Sequence, residues 1–145
     1  MKFAARLRAG IRTVTAAGTR QVGSRLAQVL PADATLALHG DLGAGKTTFV
    51  QGLARAWRIA GPVTSPTYTI FTLHRGDRLL LHLDGYRLEA PEQADALLLE
   101  DFLESPYCLA VEWPEKLGSR LPANAWHLDF ELAPDGSRLI RLRTG

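Results

Sequence analysis

The stretch of this chain best suited to chemistry is Gly40-Asp41-Leu42-Gly43-Ala44-Gly45-Lys46-Thr47-Thr48, which fits G-x-x-x-x-G-K-[ST], the P-loop pattern. Glycines there let the backbone turn its N–H groups inward with no Cβ in the way. A helix starting at Lys46 adds unpaired donors and the positive end of its dipole. Lys46 is expected to reach the β- and γ-phosphates of a nucleotide, and the Thr47 hydroxyl to take one position on a phosphate-bound Mg²⁺. The flanks agree with the letters. Thr35-Leu36-Ala37-Leu38-His39 is an apolar run of strand length, and Phe49, Val50, Leu53, Ala54 and Trp57 recur on one helical face. A glycine turn with a merely solvated lysine would not need those flanks.

A phosphate loop alone binds nucleotide; hydrolysis also needs an acid at the end of a neighbouring strand, to hold Mg²⁺ or orient water. Asp84 ends the apolar run Leu79–Leu83, and Glu112 ends Tyr107–Val111. Ligands of an open α/β sheet gather beyond the carboxyl ends of its strands, so both acids are expected at the phosphate edge. For either acid alone, the competing reading is a carboxylate that ties down a turn. The segment Ser65-Pro66-Thr67-Tyr68 follows the P-loop helix, where a switch sensing the γ-phosphate is often found. Ser65 and Thr67 are its candidate contacts, against an ordinary extended loop.

The elements that must position these groups are legible in outline. Ile11 to Val14 reads as a strand and Arg20 to Leu30 as a helix with Thr19 as its cap. Lys46 to about Ile59 is the P-loop helix, broken by Gly61-Pro62. Pro91 to Glu104 carries helical spacing through Ala94, Leu97, Leu98 and Phe102. Trp126–Leu132 and Arg138–Arg143 alternate around Ala133-Pro134-Asp135-Gly136, a hairpin. Interleaved strands and helices closed by a hairpin predict an α/β domain with a mixed, mainly parallel central sheet flanked by helices.

At 46% hydrophobic, the 145 residues suffice for one packed domain, expected to span 1–145. A net charge of +2 does not mark the whole chain as a nucleic-acid binder. Positive charge is concentrated at the start: from Met1 to Ala32 there is no acid, against Lys2, Arg6, Arg8, Arg12, Arg20 and Arg25. Residues 1–10 are read as a candidate disordered basic lead. The lone Cys108 sits in an apolar run and reads as buried, so a reducing compartment is expected, with no disulfide framework. The four histidines lack metal-ligand spacing, and no apolar run approaches a membrane span.

Four motifs in order closely resemble the TsaE family, formerly YjeE: the P-loop, Ser65-Pro66-Thr67-Tyr68-Thr69, His82-Leu83-Asp84-Gly85-Tyr86-Arg87-Leu88, and Val111-Glu112-Trp113-Pro114-Glu115. The resemblance runs from about Thr19 to Arg143. It implies a single-domain P-loop NTPase fold and a cytoplasmic bacterial ATPase, slow alone, that binds ATP and Mg²⁺. It also implies a role with the TsaB and TsaD proteins in making threonylcarbamoyladenosine beside the tRNA anticodon, with tRNA as ultimate substrate. On the family pattern, Thr47 and Glu112 are the Mg²⁺ positions, Lys46 and Asp84 serve hydrolysis, and Trp113 lies near the nucleotide. A late glycine-arginine pair is matched loosely by Gly136-Ser137-Arg138, which makes Arg138 the candidate nucleotide contact. A second departure is Ala96-Leu97-Leu98-Leu99, where the family usually carries a glycine.

Two enzyme classes compete with that reading. A small P-loop kinase would need an acceptor pocket and an arginine-bearing lid, whereas the connections here are short. A GTPase needs an Asn/Thr-Lys-x-Asp loop, and the lysines, at 2, 46 and 116, offer none. A nucleotide-gated interaction module would differ from the ATPase in emphasis, through a slow intrinsic rate and a large partner effect.

Overall fold

A computed structural model describes residues 2–41, 43–64 and 71–144. The elements run α1 (Phe3–Ala9), β1 (Ile11–Thr13), α2 (Ala16–Ala27), β2 (Asp33–His39), α3 (Lys46–Ala56), β3 (Phe71–Arg75), β4 (Leu79–Asp84), α4 (Gln93–Ala96), β5 (Tyr107–Glu112), β6 (Trp126–Leu132) and β7 (Arg138–Thr144). Seven strands make one sheet in the order β1-β7-β6-β2-β5-β4-β3. Four strands in sheet order, β6-β2-β5-β4, run parallel to one another. β1, β7 and β3 extend the sheet by antiparallel pairing. The mixed α/β architecture agrees with the sequence reading.

β2 lies at the sheet's centre, and Ala34 to Leu38 are all buried. A strand covered on both faces reads as a continuous apolar run, which is why no alternation shows there. On one face Leu36, Leu38, Leu80, Leu128 and Phe130 pack with Phe49 and Leu53 of α3 and Leu26 of α2. On the other, Leu81, Leu83, Leu109 and Val111 are covered by Leu88, Ala94 and Leu117 from the connections after β4 and β5. Period-two alternation along β4 divides its leucines between the two cores and leaves His82 and Asp84 on the α3 side.

α2 and α3 cross at glycines. A methyl on Gly52 would run into the Arg20 carbonyl, and one on Gly23 into the Phe49 carbonyl. The close approach also lets Ser24 Oγ donate to Gly52 O at 2.8 Å. It fixes α3, and therefore the loop that precedes it, against the sheet.

Three elements depart from the sequence expectation. α2 begins one turn early: Thr15 is its cap, accepting the Gly18 N–H at 3.0 Å. Thr19 lies inside the helix, wholly buried, with its hydroxyl 2.8 Å from that of Thr13. The span Pro91–Glu104 is not one helix. α4 stops at Ala96, Leu98 adopts φ +52°, and a 3₁₀ turn covers Leu99–Asp101. A left-handed residue ends an α-helix wherever it falls. Residues 3–9, expected within a disordered lead, form α1 instead; Leu7 is wholly buried and the Arg25 guanidinium stacks 4.7 Å over the Phe3 ring. The C-terminal hairpin is as expected, closed by Ala133 N–H on Ser137 O at 2.8 Å. Among the described residues no helix is long and apolar enough to cross a membrane.

Candidate functional site

β2 delivers the chain to the centre of the sheet's carboxyl edge, where the glycine loop begins. Gly40, Gly43 and Gly45 hold φ of +148°, +81° and +102°, backbone conformations that a side chain would strain. Gly45 caps α3 from the left-handed region and offers no side chain to the helix's first N–H groups. Those groups and the dipole end are open toward the loop. Lys46 is 4% exposed; its Nζ donates to Gly40 O at 2.6 Å and sits 4.2 Å over the Trp113 ring. Burial lowers the lysine's pKa, against the neighbouring carboxylates of Glu112, Asp84, Glu115 and Asp41. Arg138 reaches in from β7, its Nη2 and Nε donating to Gly43 O at 3.2 and 3.3 Å.

The two strand-end acids arrive side by side. β4 and β5 are parallel neighbours with Asp84 opposite Glu112 in register. Glu112 faces the first turn of α3, where the Thr47 hydroxyl donates to its Oε2 at 3.1 Å. The same oxygen is 2.5 Å from Nε2 of His82. Burial works to raise the pKa of Glu112, but the His82 and Thr47 hydrogen bonds and the Lys46 charge outweigh it and hold the group below its ordinary value. Asp84 is half-buried and also does the turn-tying work of the competing reading: its Oδ1 accepts the Tyr86 N–H at 3.0 Å. Trp113 follows Glu112 with φ +55°, its ring 5.3 Å from that of Tyr86 and facing Lys46.

Gly40, Gly43, Ala44, Gly45, Lys46, Thr47, Asp84, Glu112, Trp113 and Arg138 thus gather at one edge. Asp41 is exposed and its carbonyl accepts the Ala44 N–H at 3.2 Å. Thr48 follows on α3, half-buried. Leu42, Ser65 and Thr67 lie outside the described residues. The residue that the sequence reading passed over is His82, wholly buried against Glu112. Its signal is the spacing His82-x-Asp84 at a strand's end, which puts both side chains on one face.

The donor set suits a small hard cation with a polyphosphate. The Thr47 hydroxyl and the Glu112 carboxylate are oxygen donors already in contact. A methyl on Gly43 would meet nothing within 4 Å among the described residues.

Comparison with known proteins agrees with this geometry. The family model described as threonylcarbamoyl adenosine biosynthesis protein TsaE matches residues 13–140. A tRNA threonylcarbamoyladenosine biosynthesis protein TsaE from Nostoc is 38% identical over 125 residues, covering 83% of this chain and 76% of that protein. One of the same name from Treponema pallidum is 32% identical over 126 residues, covering 87% and 93%. The crystal structure of YdiB from Bacillus subtilis superposes with a TM-score of 0.75 at 32% identity, covering 92% of this chain and 82% of that one. With the family model spanning nearly the whole sheet and the P-loop NTPase fold following from it, the chain belongs to the TsaE family.

Proposed function

We propose that this chain is a cytoplasmic Mg²⁺-dependent ATPase that serves the threonylcarbamoyl modification of adenosine next to the tRNA anticodon, working with the TsaB–TsaD pair. The observation that carries the proposal is the meeting of Thr47 and Glu112 at the first turn of α3, directly after a loop of left-handed glycines. In this reading the Gly40–Lys46 backbone cradles the triphosphate. Lys46 exchanges the Gly40 carbonyl for phosphate oxygens and counters the charge that develops there. Thr47 and Glu112 would hold the metal, which would supply positive charge against the triphosphate. Asp84, one strand over from Glu112, orients water at the γ-phosphate. Trp113 and Arg138 wall the loop on its two sides. Ser65 and Thr67 report the γ-phosphate to the partner surface.

The test is ATP hydrolysis with Mg²⁺, with and without a purified TsaB–TsaD pair, with Glu112→Ala as control. The expected result is a low rate alone, a several-fold rise with the pair, and collapse in the variant. A rate indifferent to the pair would overturn the partnership and bring forward a small P-loop kinase, to be pursued by a screen of phosphate acceptors.

A further inference from the structure

Glu112 depends on a residue that the nucleotide does not need to touch. His82 stands on β4 opposite Ala110 and diagonal to Glu112, on the same face of the sheet. The alanine's single methyl leaves the imidazole room beside the carboxylate. The ring is wholly buried, its Nε2 is 2.5 Å from Glu112 Oε2, and among the described residues its Nδ1 has no hydrogen-bond partner. A carboxylate only accepts, so the short contact between the two groups is donated by an Nε2–H of His82.

We propose that His82 is the positioning residue of the metal site: its Nε2–H, with the Thr47 hydroxyl, pins Oε2 of Glu112 and so fixes the carboxylate's orientation toward the phosphate loop. This rests on the reading of Glu112 as a metal position. A carboxylate ligand held by a hydrogen bond needs no reorientation when the cation arrives, and loss of such a support commonly weakens metal binding by about 10–100-fold. Lys46, a cation near the pair, already has Gly40 O and the Trp113 face as contacts.

The experiment measures ADP affinity by calorimetry, once in EDTA and then across a Mg²⁺ titration, for the wild type, His82→Ala and His82→Gln. Thermal melting of each variant is followed in parallel. The expected result for His82→Ala is a Mg²⁺ midpoint raised about 10-fold or more, with ADP affinity in EDTA within twofold of wild type. His82→Gln, whose amide can still donate, should fall between the two. A merely structural histidine would weaken ADP binding equally with and without Mg²⁺, or shift only the melting. An unchanged Mg²⁺ midpoint in the variants would overturn the proposal. Should His82→Ala fail to fold, His82→Gln decides: a shift of threefold or more supports the proposal, and no shift ends it. A wild type whose ADP affinity ignores Mg²⁺ would instead remove the metal reading of Glu112, and the positioning role with it.

Discussion

The Thr47 hydroxyl donates to Glu112 Oε2 at 3.1 Å, joining the first turn of α3 to the end of β5 across 65 residues of sequence. In the proposed site both groups address one cation, so their effects should not add. Thr47→Ala and Glu112→Ala are each expected to lower Mg²⁺-dependent ATP hydrolysis by about 100-fold, near the size reported for single groups that stabilise a transition state. The double variant should be little worse than the poorer single one. A double-mutant cycle on kcat/KM checks this, and independent losses that multiply would separate the two residues into different tasks.

The crossing of α2 and α3 leaves no room for a side chain at Gly52, since a methyl there would meet backbone at Arg20. Backbone cannot step aside as a flexible side chain can. Gly52→Ala is therefore expected at the upper end of overpacking costs, about 3 kcal/mol. For a chain of this size that is a fall in melting temperature of roughly 10 °C. Calorimetry reads it directly. The loop should also lose nucleotide affinity, because α3 carries it.

Leu98 stands in the left-handed region with 57% of its surface exposed, within the run where the family usually has a glycine. A non-glycine residue held there costs on the order of 1 kcal/mol. Leu98→Gly should relieve that strain and match or exceed wild-type stability in urea. Leu97, at φ −77° and packed on the second core, has no strain to relieve, so Leu97→Gly should destabilise.

Cys108 is wholly buried in β5, and burial pushes its thiol pKa up to about 12. The native protein should resist alkylation at pH 8.5 and react fully once unfolded. The linkage has a definite sign. The unfolded chain releases this proton near pH ~8.5 while the folded chain keeps it. The thiol's contribution is thus fully present below that pH and is lost as pH rises toward 12. Denaturation curves at pH 8 and pH 10 should show the decline, and Cys108→Ala should flatten it.

What the sequence disclosed followed how local each signal was. The strand, loop and helix around Lys46 are contiguous, so their chemistry and geometry could be read together. Asp84 and Glu112 were found because each terminates an apolar run, and parallel register then set them side by side. The His82–Glu112 contact depends on which strands are neighbours and on the small size of Ala110, neither of which spacing alone reveals. Thr15 and Thr19 are both hydroxyls within one turn; the choice of cap was settled by β1 ending at Thr13, whose hydroxyl meets that of Thr19. The helical spacing of residues 91–104 was real as an apolar pattern, yet Leu98 breaks the backbone, and dihedral angles are not visible in hydrophobic periodicity. The basic lead was judged on charge, while Leu7 and Phe3 carry its packing.

The proposed function stands or falls on the binding of nucleotide phosphates at the loop that ends in Lys46. The most direct measurement is the affinity of a non-hydrolysable ATP analogue with Mg²⁺ for the wild type, Lys46→Ala and Arg75→Ala. Arg75 is an exposed residue of the outer strand β3 that makes a 3.7 Å ion pair to Glu104, so it serves as the control. The account predicts at least a tenfold loss for Lys46→Ala and an Arg75→Ala affinity within twofold of wild type. Equal affinities for all three proteins would contradict it.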